Sequence, residues 1–132
     1  MTQTLDQQRA AFAWECAQQG IARFNKEYMA LAKGAPALIM NSGLMPALAF
    51  YSAKSDASKL LLDDLIRGLS SRIWKQNLKA GQGNQVFSQF MQTLQQRTDS
   101  SGYMRATDEA LEILKWIRQF VDAVPQGGRN HG

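Results

Sequence analysis

Cysteine and histidine are almost absent from this chain of 132 residues, which contains one of each, Cys16 and His131. A single cysteine cannot close an internal disulfide. One histidine beside the C-terminal residue cannot build a His–Cys metal cluster, or act as general acid or base inside a folded domain. We therefore expect no disulfide framework, no metal or other cofactor, and no histidine-based enzyme.

Other catalytic patterns are also missing. Cys16 has no histidine near it in sequence, and a buried free cysteine usually acts as a small apolar residue. Asp63 and Asp64 are adjacent, and neighbours on a helix point apart, so we interpret them as part of a helix surface. The segment from Gly81 to Gly83 lacks the further glycine or the Gly-Lys-Ser/Thr of phosphate-binding loops. These absences predict a non-catalytic protein.

Long uninterrupted apolar runs are lacking as well. No charged residue lies between Lys33 and Lys54, but Pro36, Gly43 and Pro46 interrupt that segment. A bilayer crossing needs about 20 apolar residues in succession. The N-terminus also has neither the basic nor the apolar region of a signal peptide. We expect a cytoplasmic protein without a membrane partner.

The sequence has few valines and only three prolines, so it favours helices over strands. Apolar residues recur at spacings of three and four along most of the chain. The length suits one domain. The predicted fold is an all-α, single-domain bundle of about five helices over residues 1–124, followed by a disordered tail at 125–132.

The helix boundaries follow from glycine, proline and capping residues. We expect the second helix to be mostly buried, because its apolar residues nearly encircle it, and to be kinked near Gly43 and Pro46. The predicted helices are about 4–33, with a stop at Gly34 and Pro36; Pro36 to Tyr51; Ser55 or Asp56 to near Gly81 and Gly83; a short helix capped by Asn84; and Tyr103 to Val124, after a turn at 99–102.

Positive charge is concentrated in one stretch. The chain has fifteen Lys and Arg against eleven Asp and Glu, a net charge of +4, yet residues 65–98 contain no acid. If the third helix reaches Gly81, then Arg72, Lys75 and Lys79 share one flank of it. Such a flank can follow a phosphate backbone, although a charged stretch is also typical of an ordinary solvated face.

Aromatic side chains offer a second possible contact with nucleic acid. Trp14, Trp74 and Trp116 could stack on bases, as tryptophans do in single-strand binding proteins. Tryptophan at helical spacing beside Leu and Ile is more often part of a core or an interface. We favour the core interpretation for all three.

Two blocks, in the same order, resemble the small subunit of the type III-B (Cmr) CRISPR RNA-targeting complex. The first block is Ala35-Pro36-Ala37-Leu38-Ile39, Asn41-Ser42-Gly43-Leu44 and Ala47-Leu48-Ala49-Phe50-Tyr51. The second is Tyr103-Met104-Arg105-Ala106-Thr107-Asp108-Glu109-Ala110-Leu111, continuing from Leu114 to Phe120.

The resemblance implies a non-catalytic structural subunit in antiviral defence. Such a subunit would be stacked in more than one copy along a ribonucleoprotein filament, with its basic face lining the target RNA. The implied partners are the backbone subunits, the large subunit, further copies of the chain, CRISPR RNA and single-stranded target RNA. The alternative is a protein-only helical interaction module that docks a partner helix through its uncharged patch, without direct RNA binding.

The resemblance does not name RNA ligands, so the candidates come from charge alone. The first choices are Arg67, Arg72, Lys75 and Lys79, and the second choices are Arg23, Lys26, Lys33 and Lys54.

Overall fold

The computed structural model describes residues 2–125, and this part of the chain contains seven α-helices and no β-strand. The predicted all-α, single-domain fold is confirmed, while the predicted count of five helices is too low. Apart from Pro125, the predicted disordered tail lies outside the described residues. The helices are α1 (Leu5–Phe24), α2 (Lys26–Ser42), α3 (Leu44–Lys54), α4 (Asp56–Trp74), α5 (Gln82–Gln85), α6 (Phe87–Gln96) and α7 (Ser100–Ala123).

The predicted first helix is in fact two helices. Thr4 caps α1, and the chain turns at Asn25, where φ is 47° and ψ is −117°. The predicted stop at Gly34 and Pro36 is also wrong, because α2 continues through Pro36 to Ser42. A proline inside a helix removes one backbone hydrogen bond. Burial of apolar side chains on α2, including Ile39, offsets that loss.

The predicted kink in the second helix is a complete break. Gly43 has a φ of 98° and a ψ of 162°, a conformation that glycine adopts without the strain of a Cβ. The helix that follows, α3, contains Pro46 in its first turn, where the missing N–H has no helical partner to lose. Gly43 therefore separates α2 from α3.

The inner position belongs to α4 rather than to the predicted second helix. α4 contacts α1, α2, α3, α5 and α7, and its buried side chains include Leu61, Leu65 and Leu69. On α2 and α3, by contrast, Met40 is 72% exposed and Phe50 is 50% exposed. The uncharged segment thus packs with one face against the bundle and leaves the other face open.

α4 ends earlier than its sequence indicated. Its last residue is Trp74, and Lys75 follows in the left-handed conformation with a φ of 57°. Glycine usually occupies such a position, so no stop signal marked this site. The prediction that Asn84 caps a helix is likewise wrong, because Asn84 lies within α5.

The final helix was predicted most accurately. α7 runs from Ser100 to Ala123, so the predicted turn is in fact its cap and first turn, with Asp99 accepting a hydrogen bond from the Gly102 N–H at 2.7 Å. α7 packs along α1, α2 and α4. No helix in residues 2–125 has both the length and the apolar character needed to cross a membrane.

Candidate nucleic-acid interface

Of the three cations that were predicted to share one flank of a helix, two lie together and the third lies elsewhere. Arg72 is in the last turn of α4 and Lys75 is its C-cap, and both line a groove of about 670 Å³. Lys79 lies beyond the end of α4, where its backbone N–H donates to Oε1 of Gln82 at 2.7 Å. The predicted shared helix flank of these three residues is therefore wrong.

Two arginines from other helices complete this positive surface. Arg105 of α7 lines the same groove, and Arg97, the C-cap of α6, shares an adjoining cleft with Arg105 and Trp74. We call Arg72, Lys75, Arg97 and Arg105 the cationic strip. The acid-free stretch of the sequence contains Arg97, but Arg97 was not chosen as a candidate RNA ligand, and Arg105 lies outside that stretch. Only the packing of α4, α6 and α7 brings the two arginines to the same surface.

The acids near the strip are partly neutralised. Glu109 accepts two hydrogen bonds from the guanidinium of Arg9, at 2.9 and 2.7 Å. The same pair raises the pKa of Arg9 above its ordinary value. Glu112 lies 3.8 Å from the Lys115 ammonium, and Asp108 is exposed. Paired carboxylates repel an approaching phosphate less than free ones, and the four cations of the strip outnumber the two exposed acids nearby, Asp108 in the groove and Asp99 in the adjoining cleft, so the strip keeps a positive character.

Arg72 has donor capacity that its own chain does not use. Its Nη1 atom is buried and lacks a hydrogen-bond partner within residues 2–125. An incoming phosphate cannot reach this buried atom unless the Arg72 side chain turns outward, and that movement would also relieve the cost of about 1–3 kcal/mol that an unsatisfied buried donor carries. Phosphate oxygens are well suited to contact a guanidinium.

Arg67, another first choice, is bound to its own helix. Its Nε donates to Asp63 at 2.9 Å and its Nη2 donates to Asp64 at 2.7 Å. The two carboxylates are only 2% and 1% exposed, so the prediction that they belong to a helix surface is wrong. The guanidinium reaches both because the three residues are spaced three and four apart on α4.

The Asp63 carboxylate also fixes the segment that follows α4. It accepts hydrogen bonds from the backbone N–H groups of Gly81 and Asn84, each at 2.9 Å. Asp64 instead accepts from the Tyr28 hydroxyl at 2.6 Å, and its complete burial raises its pKa to about 7. This buried network links α2, α4 and α5.

The second-choice cations are scattered over separate elements. Lys33 forms an ion pair with Asp122 at 2.7 Å. The Lys54 ammonium lies 5.6 Å from the ring centroid of Phe50, and the Arg23 guanidinium 5.2 Å from that of Phe24. Lys26 is exposed at the start of α2. The structure does not bring these four residues to the cationic strip.

The open side of α2 and α3 is a second surface without charge. Met40 and Phe50 are its large exposed side chains, and no charged residue occurs between Lys33 and Lys54. We call the exposed residues of this segment the α2–α3 face; they include Ala37, Met40, Pro46, Ala49 and Phe50. Uncharged, partly apolar surfaces of this kind are typical of protein contacts.

Catalytic chemistry finds no support in the described residues. Burial raises the pKa of the Cys16 thiol well above its ordinary value, which disfavours the reactive thiolate. Within residues 2–125, no three His, Cys, Asp or Glu side chains come together in a way that could hold a metal ion.

Comparison with known proteins gives a match over nearly the whole described chain. The family model of the CRISPR-associated protein (Cas_Cmr5) matches residues 5–124. A crystal structure of a CRISPR-associated Cmr5 family protein from Thermus thermophilus has the same fold, with a TM-score of 0.72 and 23% sequence identity. That match covers 93% of this chain and 98% of the other.

Proposed function

Because the chain belongs to the Cmr5 family, the small subunit of the type III-B Cmr complex of CRISPR defence, we propose that it contacts target RNA through the cationic strip. It stacks in more than one copy along the filament and has a structural role. The RNA contact is made mainly to phosphates, so it depends little on base sequence. The family assignment agrees with the resemblance of the two sequence blocks.

The observation that carries this proposal is the convergence of four cations from three parts of the chain. Arg72 and Lys75 come from the end of α4, Arg97 from the end of α6, and Arg105 from α7. Phosphate neutralisation needs positive charge along a path and little exact geometry. The strip supplies such a path.

The α2–α3 face serves contacts with other subunits in this proposal. Its exposed Met40 and Phe50 can be buried against a backbone subunit or a further copy without leaving a charge unpaired. The same observation favours the second candidate function, a protein-only module that joins the complex through this face and does not contact RNA.

Two charge-matched variants of the full chain separate these functions. The first carries Arg72→Gln, Lys75→Gln, Arg97→Gln and Arg105→Gln. The control loses the same charge through Arg23→Gln, Lys26→Gln, Lys59→Gln and Arg118→Gln. Each is assembled into the Cmr complex, and target RNA affinity is measured at several salt concentrations.

Loss of phosphate contacts lowers the slope of log affinity against log salt by about 0.7 per contact, so the strip variant loses up to about 2.8 for each copy of the chain that contacts the RNA. The control is expected to keep its slope. A third variant, Met40→Ser with Phe50→Ser, should enter the complex poorly while remaining folded. Normal assembly of the strip variant with an unchanged slope would refute the RNA contact and support the protein-only function.

A further inference from the structure

A cleft between the end of α4 and α6 adjoins the cationic strip. We call it the α4–α6 cleft; its volume is about 520 Å³ and no acidic residue lines it. Its wall includes Trp74, Arg97 and the four glutamines Gln76, Gln89, Gln92 and Gln96. We propose that this cleft binds one unpaired nucleobase of single-stranded RNA, with Trp74 as the stacking surface. The proposal rests on the proposed function.

Trp74 differs from the other two tryptophans in its surroundings. All three tryptophans are half-buried and pack against the core. Trp14 and Trp116 also pack on Phe120, with ring centroids 5.1 and 5.8 Å apart. Trp74 lines two adjoining clefts, and its ring contact is an edge contact with Phe90 at 5.6 Å. No aromatic ring within residues 2–125 stacks parallel to this indole. A flat base can take that position.

The glutamines supply hydrogen bonds to the edge of a base. Gln89, Gln92 and Gln96 are spaced three and four apart, so they share one face of α6, and Gln76 lies on the opposite wall. Each amide can both donate and accept. Because base edges carry donors and acceptors in different orders, adaptable amides fit several bases. We therefore expect only a modest base preference.

Arg97 connects the cleft to the strip. It lines the α4–α6 cleft and also the neighbouring cleft that contains Arg105. A nucleotide whose base enters the cleft would thus leave its phosphate near two arginines. The absence of carboxylates from the cleft fits a polyanion better than a basic peptide.

The first test measures target RNA affinity of the assembled complex carrying Trp74→Leu, with Trp116→Leu as the matched control. Loss of one stacked base weakens binding about 5- to 150-fold for each copy of the chain that holds a base. Trp74→Phe should restore part of the loss, since it retains an aromatic face. The salt slope should stay as in the unmodified complex, because no phosphate contact is removed.

The second test observes the indole directly. The full chain is labelled with 5-fluorotryptophan, and fluorine NMR follows its resonances, with that of Trp74 assigned from Trp74→Phe. Hexauridylate should shift the Trp74 resonance, whereas an abasic hexanucleotide with the same phosphates should not. An unmoved resonance, or equal movement with both oligomers, would overturn the base site.

Two further outcomes separate this inference from the proposed function. If Trp74→Leu binds target RNA normally while the strip variant loses salt dependence, the base site is wrong and the phosphate contact stands. If the Trp74 resonance moves when the chain is mixed with the other protein subunits alone, without CRISPR RNA or target RNA, a protein subunit covers the cleft, which overturns the base site as well.

Discussion

The Asp63 carboxylate stabilises the segment that leads from α4 to α6, and replacing it with alanine tests this role. Its Oδ1 accepts a hydrogen bond from the Asn84 N–H, and its Oδ2 accepts from the Gly81 N–H and from Arg67 Nε, each at 2.9 Å. The residue is 2% exposed. Asp63→Ala removes all three bonds.

The expected cost follows from these contacts. Removing one partner of a buried ion pair costs about 3–5 kcal/mol, because it leaves a charge without its partner. Arg67 keeps its bond to Asp64, and Gly81 is exposed enough to bind water instead. Both features limit the damage, so the three losses do not add. We expect Asp63→Ala to lower the free energy of unfolding by about 3 kcal/mol.

Urea denaturation of the full chain measures that loss, and amide hydrogen exchange localises it. Protection should fall most at the Asn84 N–H, which loses its acceptor. Asp108→Ala is the matched control: its carboxylate is exposed, so stability should change by no more than about 0.5 kcal/mol. A loss below about 1 kcal/mol for Asp63→Ala, with Asn84 still protected, would refute the structural role of this carboxylate.

Two further changes probe the same buried region. Burial raises the Asp64 pKa to about 7, so between about pH 4 and 7 the folded chain holds a proton that the unfolded chain has released. The free energy of unfolding therefore falls as pH rises through that range, by at most about 1.4 kcal/mol per pH unit. Asp64→Asn should flatten this dependence when urea denaturation is measured at several pH values, and an equal pH dependence in the variant and the unmodified chain would contradict it. Gly20→Ala would drive its Cβ into the Tyr28 ring, so it should lower the melting temperature and reduce the free energy of unfolding by about 1–3 kcal/mol. Gly34→Ala is the control: nothing lies within 4 Å of its Cβ position, so the melting temperature should rise or stay unchanged.

The sequence predicted helices well where local signals and packing agree. α7 has an uninterrupted apolar row and a capping aspartate, and its observed bounds lie within three residues of the predicted ones. The apolar row of the first predicted helix also continues past Asn25, although the backbone turns there. Periodicity does not detect such a turn, since a close approach of Gly20 to Tyr28 across the turn is a tertiary contact.

Charge along the sequence was a weaker guide to the interface. It grouped Arg67, Arg72, Lys75 and Lys79 because they are near one another in the chain. Buried carboxylates bind Arg67. Because α4 ends before Lys79, that lysine is separated from Arg72 and Lys75. Neither effect has a local signal: the acids look like surface residues, and the helix ends at a lysine rather than a glycine.

The buried network and the cationic strip nevertheless depend on each other through the backbone. Asp63 holds residues 81 and 84, and those residues lead directly into α6, whose C-cap is Arg97. Arg72 and Lys75 belong to the helix that carries Asp63 itself. The distance between the two ends of the strip is therefore set in part by a carboxylate that contacts no RNA in our proposal. Arg67 acts in the same way, because pairing with Asp63 and Asp64 keeps both acids away from the surface that a phosphate backbone would approach.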